Sequence, residues 1–200
     1  MLILASASPR RQDLLRNAGI SFVVQPTNIP EVPRSGEAPQ AFAERMAREK
    51  ALTVFRDRPD EFVLGADTIV VVDTEILGKP RDAADAVRML RLLSGRKHHV
   101  TTGVCLVGPQ SRTENRQLET GFQDVRSETT IVSMDALSED DIRSYVSTNE
   151  PMDKAGAYAI QGRASRWIRR IEGNYFSVVG LPVALVYKML REHGIVCTET

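Results

Sequence analysis

Hydrophobic positions along the chain alternate between short apolar runs, typical of buried strands, and stretches with helical spacing. The apolar run at 2–5 leads into a pattern that predicts a helix over 9–18, with Ser8 as its N-cap and Gly19 as its stop. The further predicted elements are strands at 21–25, 62–66, 69–72, 100–107 and 129–134, and helices at 40–56, 82–93, 138–145 and 181–193. This order predicts an α/β protein with a mixed twisted sheet flanked by helices.

The chain contains no internal repeat, low-complexity stretch or clear linker, so we expect a single domain over residues 1–200. The alternative is two closely packed lobes with an active-site cleft between them, residues 100–170 forming the second lobe. Residues 108–121 are polar and contain glycine, serine and threonine, which is typical of a hairpin connection of variable length.

Charge and composition restrict the partners that the protein can have. Twenty-six basic residues balance 26 acidic ones, so the chain has no general attraction for nucleic acid or membranes, and any polyanion must be held by a local cluster. No apolar run approaches the ~18 residues of a membrane-spanning helix, and the N-terminus does not resemble a signal peptide. Cys105 and Cys197 fit reduced thiols better than a disulfide framework. We therefore expect a cytoplasmic protein without a nucleic-acid or membrane partner.

The start of the first helix carries the clearest candidate chemistry. Arg10 and Arg11 lie at the positive end of the helix dipole, where each cation typically destabilises a helix by ~0.3–1 kcal/mol. A bound anion would reverse the sign of that effect. The hydroxyls of Ser6 and Ser8, the N–H groups of the first turn and the two guanidinium groups therefore indicate a phosphate site. The alternative is a solvated, basic helix start.

A second candidate is Asp67, which lies between the apolar runs at 62–66 and 69–72, where we expect two strands to meet. A carboxylate at that depth needs a charged partner, and a divalent cation is common in sites that process phosphates. The alternative is an aspartate that caps a tight turn. Lys79, in the turn 78–80, presents a compact point charge, although such turns are also common on protein surfaces.

The segment 153–162 is a candidate ligand loop because five of its ten residues are glycine or alanine. Gln161 offers a hydrogen-bond donor and an acceptor side by side, which can match the N3–H and a carbonyl of a pyrimidine base. The alternative is a packed turn in which Gln161 bonds only to backbone. Other kinds of site are disfavoured, since the chain has no Walker A loop, no dinucleotide fingerprint and no zinc-ligand spacing.

Six short motifs in this order resemble the Maf family of nucleoside triphosphate pyrophosphatases, and the resemblance spans nearly the whole chain. The motifs lie at residues 6–11, 48–51, 65–68, 78–80, 153–162 and 179–182. The amino-acid sequence at 154–158 and 160–162 resembles that of the subgroup that acts on dTTP and UTP, whereas the 7-methyl-GTP subgroup has a different loop that contains glutamate.

The resemblance implies a hydrolase that cuts dTTP and UTP between the α and β phosphates, and that could clear modified pyrimidine nucleotides. It implies that Asp67, Lys50 and Lys79 are catalytic and that Glu31 and Asp67 hold Mg²⁺ or Mn²⁺. Asp67 would orient or deprotonate water. The substrate-binding residues would be Ser8, Arg10, Arg11, Thr68 and Gln161. We also expect a homodimer.

Two other functions stay open at this point. A nucleotide-binding regulator of cell division would need the arginines but not Asp67, and an acidic residue at a buried strand end beside cations favours an enzyme instead. A purine pyrophosphatase acting on ITP or XTP is disfavoured by Gln161 and Thr68, which suit a smaller base.

Overall fold

The computed structural model describes residues 1–109 and 121–195, and within them the predicted α/β class is confirmed. The strands are β1 (Leu2–Leu4), β2 (Val23–Val24), β3 (Phe62–Val72), β4 (Glu75–Leu77), β5 (Lys97–Gly108), β6 (Phe122–Met134) and β7 (Ile168–Glu172). The helices are α1 (Pro9–Asn17), α2 (Pro39–Asp57), α3 (Ala83–Leu93), α4 (Glu139–Val146), α5 (Tyr175–Val179) and α6 (Val183–Glu192). Short 3-10 turns lie at Glu150–Asp153, Ala155–Ala157 and Arg163–Trp167.

Within the described ranges, the strands form a seven-stranded mixed sheet in the order β2-β1-β3-β5-β6-β7, with β4 paired to β3. β1 runs parallel to β2 and β3, whereas β4 is antiparallel to β3 and β7 is antiparallel to β6. None of the helices in the described ranges is long and apolar enough to cross a bilayer.

The chain divides into two compact units, and three of the four divisions fall inside β3, β5 and β6, whereas the fourth directly follows α5. The first unit comprises Met1–Asp67 and the described parts of Gly103–Ser127 and Gly180–Thr200. The second comprises Thr68–Thr102 and Glu128–Val179. The expectation of a single domain over residues 1–200 stays a prediction.

The first unit packs α2 closely against its part of the sheet because both sides present small residues. Ala43, Ala47 and Ala51 of α2 are fully buried. They face strand glycines, and a Cβ atom at Gly65 of β3 would lie only 2.1 Å from the carbonyl oxygen of Ala47. This close contact fixes the position of the helix that carries Lys50.

The core of the second unit is formed by the apolar faces of α3 and α4 with Tyr158 and Trp167. Both helices begin as the sequence predicts: the Asp82 side chain accepts from the Asp85 N–H, and Ser138 and Asp141 form a capping box. The loop that contains Gln161 is therefore attached to a well-packed core.

The structure also differs from the prediction in several elements. The runs at 62–66 and 69–72 are one continuous strand, β3, so Asp67 lies in the middle of a strand and the tight-turn alternative is wrong. β5 and β6 begin earlier than predicted, and the sequence pattern missed β4, β7, α5 and the 3-10 turns. Most of the predicted hairpin at 108–121, and Cys197, lie outside the described residues.

Candidate active site

The segment between β1 and α1 turns the chain so that its polar groups meet at the start of the helix. Pro9 begins α1, and Ser8 precedes it in an extended conformation. Ser8 is the N-cap residue, as predicted, but its side chain makes no capping hydrogen bond. Its backbone N–H instead donates to Oγ of Ser6 at 3.3 Å. A phosphate at this helix start would therefore meet first-turn N–H groups that the Ser8 hydroxyl does not cap.

Two hydrogen bonds within the first unit fix the guanidinium group of Arg11. Its Nε donates to the carbonyl oxygen of Gly180 at 2.8 Å, and its Nη1 donates to Oγ of Ser6 at 3.1 Å. Burial lowers the pKa of Arg11, while the nearby carboxylates of Asp67 and Glu31 act in the opposite direction. Since an arginine stays protonated in proteins, Arg11 is a fixed positive charge beside these two carboxylates.

Lys50 joins the two predicted acidic residues. Its Nζ donates to Oε1 of Glu31 at 2.6 Å and to Oδ1 of Asp67 at 2.6 Å. The side chains of Lys50 and Asp67 are 10% and 8% exposed, whereas that of Glu31 is 39% exposed. A buried cation thus connects a buried carboxylate to one that solvent can reach.

Burial raises the pKa of the Asp67 carboxyl above its usual value. The positive charges of Lys50 and Arg11 oppose this effect, and the negative charge of Glu31 adds to it. A carboxylate with a raised pKa is a stronger base than a solvated one. Perturbed carboxyl groups of this kind are typical of functional sites.

The same two carboxylates are the only candidates for metal ligation that the sequence singles out. Oε1 of Glu31 and Oδ1 of Asp67 each lie 2.6 Å from Nζ of Lys50. The distance between these two oxygens is therefore at most twice that length. The described residues contain no group of three or more histidine, cysteine, aspartate or glutamate side chains that could hold a metal ion. An oxygen-only pair fits Mg²⁺ or Mn²⁺, which complete their coordination with water and phosphate oxygens.

In the second unit, two linked hydrogen bonds determine whether the Thr68 hydroxyl donates or accepts. The Thr102 hydroxyl donates its proton to the carbonyl oxygen of Ser177 at 2.8 Å. The bond of 2.9 Å between the Thr68 and Thr102 hydroxyls must therefore be donated by Thr68, because Thr102 has no second proton. Toward any further partner, the Thr68 hydroxyl can act only as an acceptor.

The turn that carries Lys79 is bonded to the loop that carries Gln161. The Gly156 N–H donates to the carbonyl oxygen of Gly78 at 3.0 Å. Gly156 has a φ of 68°, and a Cβ atom there would lie 2.8 Å from Cγ2 of Val70, so both conformation and space require glycine. Lys79 and Gln161 are both exposed.

Three features of the site could not be assigned from the sequence. The Gly180 carbonyl, in the motif at 179–182, and the Thr102 hydroxyl of β5 act through contacts between residues far apart in the chain, so their partners are found only from the folded structure. Arg45 falls on the polar side of the predicted helix, yet its side chain is only 10% exposed. The hydrogen bonds that Arg45 donates to Val32 and Glu37, in the segment before α2, could be found only from the folded structure.

Comparisons with known proteins agree with the resemblance. The family model described as Maf-like protein matches residues 1–193. A protein of Koribacter versatilis named dTTP/UTP pyrophosphatase is 54% identical over 194 residues, covering 97% of this chain and 95% of the relative. One of Syntrophomonas wolfei with the same name is 48% identical, covering 96% of each chain. The solved structure of the Staphylococcus aureus Ham1 protein is 13% identical with a TM-score of 0.47, covering 96% of this chain and 98% of that one. With a family model matched across nearly its whole length, the chain belongs to the Maf-like protein family.

Proposed function

We propose that this protein is a nucleoside triphosphate pyrophosphatase that hydrolyses dTTP and UTP to the nucleoside monophosphate and pyrophosphate. One observation carries the proposal: the buried Lys50 ammonium is bonded to Asp67 and Glu31, in a chain 54% identical to a relative named dTTP/UTP pyrophosphatase. Local cations and a carboxylate of raised pKa suit the hydrolysis of a phosphoanhydride bond.

Binding of the triphosphate is assigned to the basic groups. Arg10, Arg11 and Ser8 surround the start of α1, where the first-turn N–H groups also attract an anion. Arg11 is held in place before substrate arrives, so it can neutralise developing charge without reorganisation. Lys79 supplies a further exposed cation from the turn at 78–80.

Asp67 is assigned as the group that orients and deprotonates the attacking water. Lys50 holds its Oδ1, which fixes the direction of the carboxylate within β3. Cleavage between the α and β phosphates consumes one water, whose oxygen forms the new P–O bond while the bridging oxygen leaves with the other product. Asp67 takes the proton from that water and releases it to solvent after the step.

Glu31 and Asp67 are also the residues that would hold Mg²⁺ or Mn²⁺, with phosphate oxygens and water as the remaining ligands. When bound, such an ion neutralises phosphate charge and lowers the pKa of a coordinated water. Lys50 then keeps both carboxylates aligned from the protein side.

Recognition of the base is assigned to Gln161 and Thr68. The Gln161 amide can accept from N3–H of uracil or thymine and donate to a carbonyl. A cytosine edge presents its donor and acceptor in a different order, so the pair of groups on Gln161 favours uracil and thymine. The Thr68 hydroxyl directs its proton to Thr102, so toward the base it adds a fixed acceptor.

The proposal extends to the setting of the reaction. The protein would act in the cytoplasm as a homodimer, without nucleic acid or membrane partners, and modified pyrimidine nucleotides could be among its substrates. The buried Cys105 thiol, which forms no disulfide, supports a reducing compartment.

The experiment is a substrate panel of UTP, dTTP, CTP, GTP and ITP, each assayed with Mg²⁺, Mn²⁺ or EDTA. We expect the highest kcat/KM for UTP and dTTP and loss of activity in EDTA. Nucleotide binding by calorimetry without turnover would favour the regulator, and a preference for ITP would favour a purine pyrophosphatase. Either outcome would overturn the proposal.

A further inference from the structure

Glu31 lies on a part of the chain that has little regular structure to hold it in position. Residues 25–38 contain no helix or strand and only one turn, and they include Pro26, Pro30 and Pro33. The Glu31 side chain is 39% exposed, yet its Oε1 lies 2.6 Å from Nζ of Lys50. A carboxylate on such a segment needs contacts elsewhere along the segment to keep that geometry.

Arg45 of α2 supplies these contacts. Its Nε and Nη2 donate to the two carboxylate oxygens of Glu37 at 2.6 and 2.7 Å, which is a bidentate pair. Nη2 also donates to the carbonyl oxygen of Val32 at 3.0 Å, and Nη1 donates to Oε1 of Glu49 at 3.1 Å. The guanidinium carbon lies 5.3 Å from the ring centroid of Phe42. Four hydrogen bonds therefore join one arginine to α2 and to the irregular segment.

The bonded groups lie on the same irregular segment as Glu31. Val32 is the next residue along the chain, and Glu37 accepts a further bond from the Arg34 N–H at 2.9 Å. The bidentate hydrogen bonds from Arg45 lower the pKa of Glu37 to about 2, so this carboxylate stays ionised throughout the working pH range. Together Arg45 and Glu37 restrain the backbone on both sides of Pro33.

We propose that Arg45 is a positioning residue that holds residues 31–37 on α2 and thereby keeps the Glu31 carboxylate on Lys50. The proposal rests on the proposed function, because it assigns to Arg45 an effect on the reaction that passes through Glu31. Lysine cannot replace it, since only the planar guanidinium provides the bidentate pair and the bond to the Val32 carbonyl at once. Displacements of about 1 Å at a catalytic group reduce rates by up to ~10²-fold.

The test is a double-mutant cycle on kcat/KM for UTP with the variants Arg45→Gln, Glu31→Gln and the two combined. We expect Arg45→Gln to reduce kcat/KM by roughly 10- to 100-fold in the wild-type background and by less than about threefold in the Glu31→Gln background. Arg34→Gln is the matched control, because Arg34 is 69% exposed and lies 3.6 Å from Glu49. It should stay within about twofold of wild type.

Hydrogen exchange of the backbone amides gives a readout that does not depend on turnover. Arg45→Gln should increase exchange in residues 27–37 and leave β1 unchanged. Glu37→Gln should reproduce both effects, and it keeps the proposal testable if Arg45→Gln does not fold.

Three results would overturn the proposal: independent, multiplicative effects of Arg45→Gln and Glu31→Gln, wild-type activity of Arg45→Gln, or wild-type activity of Glu31→Gln. If the wild-type protein turned over no nucleotide, the proposed function would fail. In that case unchanged exchange at residues 27–37 in Arg45→Gln would separately refute the restraint itself.

Discussion

Gly65→Ala tests whether the close packing of α2 on β3 sets the geometry of Lys50 and Asp67. A Cβ atom at Gly65 would lie 2.1 Å from the Ala47 carbonyl oxygen and 2.8 Å from the Ala51 nitrogen. Both are backbone atoms of α2, so no side-chain rotation can relieve the overlap. Carbon–oxygen contacts normally lie at ~3.3 Å or more, so the helix and strand must separate by about 1 Å.

This separation of α2 from β3 would move Lys50 away from Asp67. Lys50 lies on α2 between the two displaced alanines, and Asp67 is two residues from Gly65 on the same face of β3. A movement of about 1 Å would lengthen the bond of 2.6 Å between Lys50 and Asp67 to the limit of a hydrogen bond. We expect overpacking to lower the free energy of unfolding by ~1–3 kcal/mol and kcat/KM for UTP to fall about 10²-fold.

Gly108→Ala is the matched control, because it overpacks the same unit and the atoms nearest to the added Cβ belong to aromatic side chains outside α2. Its Cβ atom would lie 2.4 Å from the Phe62 ring and 2.6 Å from the Phe122 ring. Urea unfolding followed by circular dichroism measures stability, and kcat/KM is measured where both variants are folded. Gly108→Ala should lose stability but keep kcat/KM within about threefold. Wild-type activity of Gly65→Ala, or an equal loss of activity in Gly108→Ala, would refute the reasoning.

Three further predictions concern the general base Asp67, the base-reading residue Gln161 and the buried His98. Asp67→Asn should lower kcat for UTP by roughly 10²-fold or more, as loss of a positioned base does, and steady-state kinetics within a few-fold of wild type would remove Asp67 from the mechanism. Gln161→Ala should narrow the ratio of UTP to CTP kcat/KM, mainly by slowing UTP, and an unchanged ratio would show that Gln161 does not read the base. His98 bonds to Tyr158 at 2.7 Å, and burial lowers its pKa to about 4. In the unfolded chain the histidine takes up its proton near pH 6.5. Neutral His98 therefore contributes its full stabilisation above pH 6.5, and this contribution is lost as the pH falls toward 4. Between pH 7.5 and 4.5 the free energy of unfolding from urea titrations should fall by ~2–3 kcal/mol more in wild type than in His98→Gln, and parallel pH slopes would contradict this.

The sequence predicts best those elements whose signals are local. Pro9 and Gly19 mark the limits of the first helix, and Asp82 and Ser138 cap the helices that they precede. Each of these signals depends on hydrogen bonds or backbone angles within a few residues. The Ser8 hydroxyl is the exception, because Ser6 bonds to the Ser8 N–H and to Arg11 and so organises that turn.

The sequence predicts less well where a charge is compensated from far along the chain. Asp67 looks like the end of a strand, yet β3 continues through it because Lys50, 17 residues away, neutralises the carboxylate. Lys50 and Arg45 likewise fall on the polar side of the predicted helix, but both are bonded to carboxylates and nearly buried. The strand β7, with two adjacent exposed arginines, forms at the edge of the sheet, where charged side chains are tolerated.

The most direct test of the central claim is the identity and ratio of the products formed from UTP. Purified protein is incubated with UTP and Mg²⁺ or Mn²⁺, and UMP, UDP, pyrophosphate and phosphate are quantified by ³¹P NMR, with Asp67→Asn prepared in parallel to reveal contaminating activity. The account predicts UMP and pyrophosphate in equal amounts, without UDP or phosphate, and little of either product from the variant. Formation of UDP and phosphate, or equal product from wild type and variant, would contradict it.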